Sequence, residues 1–515
     1  MTMKTKMRTF KVAAMMLVAA SMSWTITSCS DNNDDNKKET EDPEVTYTGN
    51  VAYSKGILFQ EGTQLGTGDQ EFVFTGDATL KKGTYLLKGW VYVADGAKLT
   101  IPAGTIIKGD KETKAALIVE PGGQVFAEGT KEAPIVFTSE QPVGSRKPGD
   151  WGGLIICGKA PNNQGVLKQQ IEGGPRTKHG GTDEKDNSGV FRYIRVEFAG
   201  YPFDKDKEIN GITFGSVGNG TKVDHLQVSY SNDDSYEWFG GTVNCKYLVA
   251  YKGWDDEFDT DNGFNGHVQY CLSIRDPRIA DTSQSNGFES DNCADGSEIS
   301  PYTSAVFSNV TFIGPMTAKN LAAGFENKDS YINASPVFPN NGAKLGLFQA
   351  AMQIRRSSKL NCYNTLAVGY PIGLIIDGEK GATVDYAKAG NQFFLKNIIF
   401  AGMGIIGSDN NKYYKDELYN KATATYDATQ KSYSNTFFFK EGSNNKEMTE
   451  SALNLSDPKS TGQNYAPASM LTGGNFSDVT SSFLDKTATY IGAFKDANDN
   501  WLDGWTNFDP QNTAY

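Results

Sequence analysis

Histidine is nearly absent from this chain: 515 residues hold three, His179, His225 and His267. So few imidazoles leave little room for a histidine-based catalytic or metal centre. His225 and His267 lie beside strand-like runs, where core or turn roles are expected. None of the six cysteines lies in a Cys-x-x-Cys pair, so the usual zinc spacing is missing. Beyond Cys29, the residues Cys157, Cys245, Cys271 and Cys362 sit inside apolar runs, and only Cys293 does not. They are expected as buried free thiols that pack like small hydrophobes. There is no Gly-rich phosphate loop and no Ser-His-Asp arrangement. Stretches that favour a helix are scarce. Lys and Arg number 49 against 61 Asp and Glu, a formal charge of −12. That balance excludes the electrostatic footprint of a nucleic-acid binder.

What the chain does have begins at its start. Lys4, Lys6, Arg8 and Lys11 precede an apolar run from Val12 to Trp24. The run is shorter than the ~20 residues that span a bilayer, and its flanks fit a signal peptide over residues 1–28. Ile26-Thr27-Ser28-Cys29 then resembles a bacterial lipobox, which implies that Cys29 is lipidated. Residues 29–50 read as an acidic tether, with seven acids and two lysines in 30–44. An acidic run just after the cysteine resembles the surface-export signal of lipoproteins from Bacteroidota.

The remainder, 51–515, reads as one all-β domain. Short apolar strands cut by Gly and Pro run through 98–138 and end in Pro134-Ile-Val-Phe-Thr138. An apolar–x–apolar pair then recurs at Val196, Val228, Val249, Leu272, Val310, Leu366 and Ile398, in steps of 32, 21, 23, 38, 56 and 32 residues. Strands this short bury a face only by stacking coil on coil, with insertions mapped to one edge. The pattern resembles a right-handed parallel β-helix. A β-propeller, which also repeats at ~40 residues, is the alternative, although no tryptophan recurs at a fixed blade position. The coils are expected over 91–402. Residues 45–90 are expected as an N-terminal cap and 403–515 as C-terminal decoration and cap. A further coil is expected inside the 56-residue step, near Leu345 to Ile354. A helix is expected near Lys415 to Thr429. Trp501 to Phe508 are expected to plug the last coil.

Acids follow the central coils. Phe258-Asp259, Phe288-Glu289 and Phe325-Glu326 place phenylalanine before an acid, so the rings should stack inward and the carboxylates outward. Like charges in register repel. A solvated acidic face is one reading. A calcium site, which takes six to eight oxygens, is the other, with Asp255, Asp256, Glu257, Asp259 and Asp261 as ligands. If the chain is an enzyme, Asp233-Asp234 and Asp255-Asp256 are the carboxylate pairs for acid–base work on a polysaccharide. Asp259-Thr-Asp261 resembles the Asn-Thr-Asp block of polygalacturonase-type hydrolases, but the Gly-His-Gly and Arg-x-Lys blocks that follow it there are missing. Tyr236, Trp238 and Trp254, with Glu289 and Glu326, are the ligand-binding candidates, since aromatic planes beside carboxylates suit a sugar ring. Packing beneath loops is the competing role for the tryptophans.

The lipobox, Pro134 to Ser139, Gly149-Asp-Trp-Gly-Gly153 and Gly504-Trp505 to Pro510 together resemble surface lipoproteins of Bacteroidota with β-helix character. The resemblance implies an outer-membrane protein, lipid-anchored and facing outward. It also implies nutrient capture, a glycan ligand and a TonB-dependent transporter as partner. A non-catalytic binding lipoprotein is the first expectation from it. A calcium-dependent polysaccharide lyase or glycoside hydrolase is the second.

Overall fold

The chain folds as a right-handed parallel β-helix in which each coil contributes to three parallel ladders. The computed structural model describes residues 46–48, 51–53, 55–59, 64–70, 72–204, 207–333 and 344–515. Residues 1–28, Cys29 and the acidic run 30–44 lie outside the described residues.

The first ladder stacks strands from Val51–Tyr53 and Phe72–Phe74 through Trp90–Val93, Ala116–Val119 and Gly153–Cys157. It continues through Ile212–Val217, Tyr236–Gly241, Phe258–Asp261, Phe288–Ser290, Ala350–Ile354 and Ile372–Ile376 to Ile405–Ser408. The other two ladders are separate in the early coils, where Lys98–Pro102 and Gln124–Glu128 belong to one and Ile106–Gly109 and Ile135–Ser139 to the other. From Gly189–Glu197 to Val306–Ile313 one long strand serves both, as in Lys222–Ser229, Asn244–Tyr251 and His267–Ile274.

Those long strands turn the corner at a single left-handed residue. Tyr193, His225, Tyr247, Tyr270 and Asn309 occupy it in successive coils, with φ of 49°, 56°, 59°, 64° and 52°. Asn364 and Asn397 repeat it at 51° and 57°. An L-residue is strained there by about 1–2 kcal/mol, and stacking offsets the strain. His225 lies 4.3 Å from both Tyr193 and Tyr247, ring to ring. Further along, Asn397 donates to Asn364 over 2.9 Å and Asn444 donates to Asn397 over 3.0 Å.

The core follows the alternation. Ile212, Tyr236, Phe258, Phe288, Met352 and Leu374 form one inward column in strict register. Each buried side chain of this kind stabilises by about 1.5–3 kcal/mol. Phe325 does not join them. It packs with Ala280, Ile332 and Phe348 in a side cluster under the two short helices Ala318–Ala322 and Asp329–Ile332.

Several expectations need correction. The ladders begin before residue 91: Lys55–Phe59 pairs with Asp77–Leu80, and that strand pairs with Lys98–Pro102. Segment 45–90 therefore carries coils and is no separate cap. The long step holds an insertion and no extra coil, because Val306–Ile313 pairs directly with Asn361–Tyr363 and Leu366–Val368. No helix occupies 415–429; Leu418–Asn420 and Thr425–Asp427 make an antiparallel hairpin there. The C-terminal segment runs back along the corner ladder instead of plugging the last coil. Asn475 binds Asn364, Tyr490 accepts from Asn309, Trp505 packs on His225 and Asn507 binds Gln227. Cys157, Cys245, Cys271, Cys293 and Cys362 are free, and all but Cys293 are buried.

Candidate functional site

The outward column of the first ladder is where charge gathers. Thr213, Glu237, Asp259, Glu289 and Gln353 face each other in consecutive coils. Neighbouring strands are about 4.8 Å apart, so three carboxylates in a row repel strongly. The turn that enters this ladder adds more acids. Asp233-Asp234 precede Tyr236–Gly241, and Asp255-Asp256 precede Phe258–Asp261 at the same place one coil on.

Two triplets result. Asp233, Asp234 and Asp255 bring one carboxylate oxygen each within 4.8 Å of one another, and so do Asp234, Glu237 and Asp259. Asp234 is common to both. Oδ1 of Asp255 and Oδ1 of Asp259 are buried with no hydrogen-bond donor. Asn210 donates to Oε2 of Glu237 over 2.5 Å, and its own buried Oδ1 also lacks a donor. Burial first, then the neighbouring acids, push Asp233, Asp234, Glu237, Asp255 and Asp259 well above the usual carboxylate range. A buried oxygen with no donor costs about 1–3 kcal/mol. The donor set is all oxygen and all hard, which fits a calcium-like cation and excludes a thiolate or imidazole site.

The acids around the triplets have partners within the fold. Oδ1 of Asp234 accepts from the Asp256 amide over 2.8 Å, and Asp256 in turn accepts from the Asn286 amide. This chain of carboxylates ties coil to coil. Glu257 is fully buried and pairs with equally buried Arg275 at 3.1 Å. Asp261 accepts from the Asn262 amide over 2.5 Å. Burial and the nearby Asp291 hold its pKa up at about 8. Glu289 pairs with Arg355, which also reaches Asp291 at 2.8 Å, while Arg356 binds Asp291 at 2.6 Å. Burial still lifts Glu289 to about 8. The acidic wall thus ends on a cationic border.

Of the expected calcium ligands, Asp255 and Asp259 enter the triplets, whereas Asp256, Glu257 and Asp261 do not. Asp233-Asp234 and Asp255-Asp256, expected as two carboxylate pairs for catalysis, do not stand apart: Asp233, Asp234 and Asp255 share one triplet. Glu237 was missed as a ligand. The signal was present, since Tyr236-Glu237 is the same aromatic–acid pair as Phe258-Asp259 one coil later. The aromatic candidates are corrected outright. Tyr236, Trp238 and Trp254 are fully buried. Tyr236 and Trp238 stack inside the helix, because alternate residues of a strand share one face and the outward place between them goes to Glu237. The Trp254 indole donates to Lys344 beneath a loop. Glu326 lies in the helical insertion and pairs with exposed Lys328, away from the wall. His179 is buried against Ser216 at 2.8 Å, and burial lowers its pKa to about 3. It therefore stays neutral at physiological pH.

A family model described as a pectate-lyase-like β-helix domain matches residues 72–454. The chain belongs to this family. The match spans the coils that carry the wall and the hairpin beyond it. No curated protein and no solved structure matches the chain. The ladder register and the family description agree on the scaffold, and the carboxylate triplets are properties of these particular residues.

Proposed function

We propose that the protein is a surface lipoprotein that binds polysaccharide non-catalytically, through divalent cations held by Asp233, Asp234, Glu237, Asp255 and Asp259. The observation that carries this reading is the shared geometry of the two triplets, with two buried carboxylate oxygens that no donor reaches. Calcium takes six to eight oxygens, and three carboxylates leave places for sugar hydroxyls or a uronate carboxylate. The lipobox at Cys29 and the acidic run after it support anchoring at the outer membrane, facing outward. A TonB-dependent transporter is the partner that fits this location, tested by co-purification from solubilised outer membranes. Changing Cys29→Ala should release the protein from the membrane or leave it as precursor.

The family favours a second reading, a calcium-dependent lyase or hydrolase on the same scaffold. Against it, Arg355 on the next strand is already held by Glu289 and Asp291. The three histidines offer no base at the wall either: His179 is buried elsewhere, His225 stacks at the corner and His267 binds Asn244. One experiment separates the readings. Immobilised acidic and neutral polysaccharides are incubated with the protein in calcium and in EDTA, and the supernatant is followed for unsaturated or reducing ends. Retention on the acidic polysaccharides in calcium, lost in EDTA and in Asp234→Asn/Asp259→Asn, with no new ends, is the expected result. New chain ends would establish the enzyme, and equal retention on the acidic polysaccharides in EDTA would sink the role of the cation.

A further inference from the structure

A cavity of about 650 Å³ lies beyond the acidic wall, where the first ladder ends. Ser408 closes that ladder, in register with Ile375, which is itself in register with Gln353 and Glu289. The cavity begins at the next residue, Asp409. Its walls are the hairpin Leu418–Asn420/Thr425–Asp427 and the helix Thr383–Ala389. Tyr419 and Tyr426 are directly opposed across the hairpin, so both rings stand on one face of it. Their centroids are 5.0 Å apart. Tyr433 faces them from the start of the helix Tyr433–Phe438, and Asp385 and Lys388 come from the opposite wall.

An isolated two-stranded hairpin is marginal, yet this one is pinned. The Asp409 carboxylate accepts from the amides of Tyr433 at 2.8 Å, Ser434 at 2.8 Å and Tyr419 at 3.4 Å, and so holds two walls together. Asp416 accepts from Lys431 and Asn435, each at 2.8 Å, which secures the base of the same segment. Within this fixed frame Tyr426 has a buried hydroxyl with no hydrogen-bond partner. Its ring packs edge-on against Tyr413 and lies under the Lys415 ammonium, contacts that phenylalanine would also make without the penalty of an unmade bond.

We propose that this cavity is a second glycan-binding site, which takes a neutral sugar unit without a cation and seats it against the Tyr419–Tyr426 pair. The choice of ligand class rests on the glycan-binding reading above and on the chemistry of the lining. Aromatic faces accept the C–H face of a pyranose, and Asp385, Lys388 and Gln430 of the lining supply donors and acceptors for its hydroxyl edge. Both signs of charge are present, so neither a phosphate nor a uronate is selected. The volume lies within the range of small-molecule sites and leaves room for more than one ring. A chain bound here continues along the same ladder toward the acidic wall, about 14 Å away at one strand per 4.8 Å.

The test uses saturation-transfer NMR on the whole mature chain in EDTA, with cellobiose, maltose, β-1,4-mannobiose and lactose as probes at millimolar concentration. At least one disaccharide should show transfer. Tyr419→Ala should weaken it about tenfold, and Val384→Trp, which fills the cavity from the helix side, should abolish it. Tyr426→Phe keeps the ring and should weaken binding less than Tyr419→Ala. Asp234→Asn/Asp259→Asn should leave the transfer unchanged. Melting curves equal to wild type certify that each variant is folded. No transfer from any of the four probes, or transfer that survives both Tyr419→Ala and Val384→Trp, overturns the proposal. Disaccharide binding without calcium-dependent retention of polysaccharide would overturn the cation reading and leave this site standing.

Discussion

Two stacks of like residues run along this helix, and they differ in the sign of the force between neighbours. At the corner, Tyr193, His225, Tyr247 and Tyr270 attract each other through their rings, and the C-terminal segment covers them with Trp501 and Trp505. On the first ladder, Glu237, Asp259 and Glu289 are repeated just as regularly, yet they repel. The register is set by the coil, so it brings like next to like whatever the residue. Where the stacked groups attract, the stack is scaffold. Where they repel, the fold bears a cost that raised pKa values and the Arg355 pair at Glu289 relieve only in part, and that asymmetry is what singles out the acidic wall as the candidate site.

The largest effect should come from uncovering the favourable stack. Trp505 is fully buried, and its indole donates to the Trp501 carbonyl at 2.7 Å while the ring packs on Tyr193 and His225. Trp505→Ala should cost about 3–5 kcal/mol, read by denaturant unfolding. A loss near zero would mean that the C-terminal segment is ornament and that the comparison fails on its stable side.

The opposite response is expected on the wall. A cation that binds only the native state stabilises it by about 2.7 kcal/mol at a hundredfold excess over Kd. Calcium should therefore raise the melting temperature, and Asp234→Asn/Asp259→Asn should remove the rise. In EDTA the same double variant should melt no lower than wild type, because each amide deletes a repulsion. A variant that melts well below wild type in EDTA would show that these carboxylates are structural, like the stacked rings of the corner.

A pH scan sharpens the same point. Asp261 and Glu289 have folded pKa values of about 8, above their ordinary 3.8 and 4.5. The native state then holds protons that the unfolded chain has released, so stability falls as pH rises. The contribution is complete below the ordinary values and disappears as pH passes about 8. Cation-free protein should lose melting temperature between about pH 5 and pH 8, by about 1 °C for each kcal/mol in a domain of this size. Calcium should flatten the slope by favouring the ionised acids. A cation-free melting temperature that rises across this window would contradict the burial of these groups.

The fold was legible because it is written in a short-range code. Val196, Val228, Val249 and Leu272 alternate with outward residues, and a period of two survives any insertion between coils. Phe258-Asp259 and Phe288-Glu289 announced their register for the same reason. Phe325-Glu326 carried an identical dipeptide but sits after a helical insertion, where local pattern no longer reports coil position. Tyr236 and Trp238 misled in the reverse direction: near acids in sequence, they face the core because strand neighbours point to opposite sides. The Asp234 triplets could not be read at all from spacing, since they join a turn of one coil to a strand of the next. The tyrosine cavity was hidden for a similar reason, as a hairpin within a polar segment rich in Tyr, Asn and Lys reads like an exposed helix until its cross-strand pairing is seen.

The smallest expected effect probes why the corner changes from aromatic to amide along the helix. His225 and Asn309 hold the same left-handed bend, at φ of 56° and 52°. Asparagine tolerates that conformation better than most residues, whereas its amide cannot replace two ring contacts at 4.3 Å. His225→Asn should therefore trade strain against stacking and cost only about 0.5–1.5 kcal/mol, the worth of an aromatic pair. His225→Ile should cost more, because a β-branched side chain is a poor fit at positive φ and brings no ring. Equal losses for the two would mean that stacking alone governs the corner. A larger loss for asparagine would mean that the bend carries no strain, and that the aromatic half of the ladder owes nothing to the conformation it shares with the amide half.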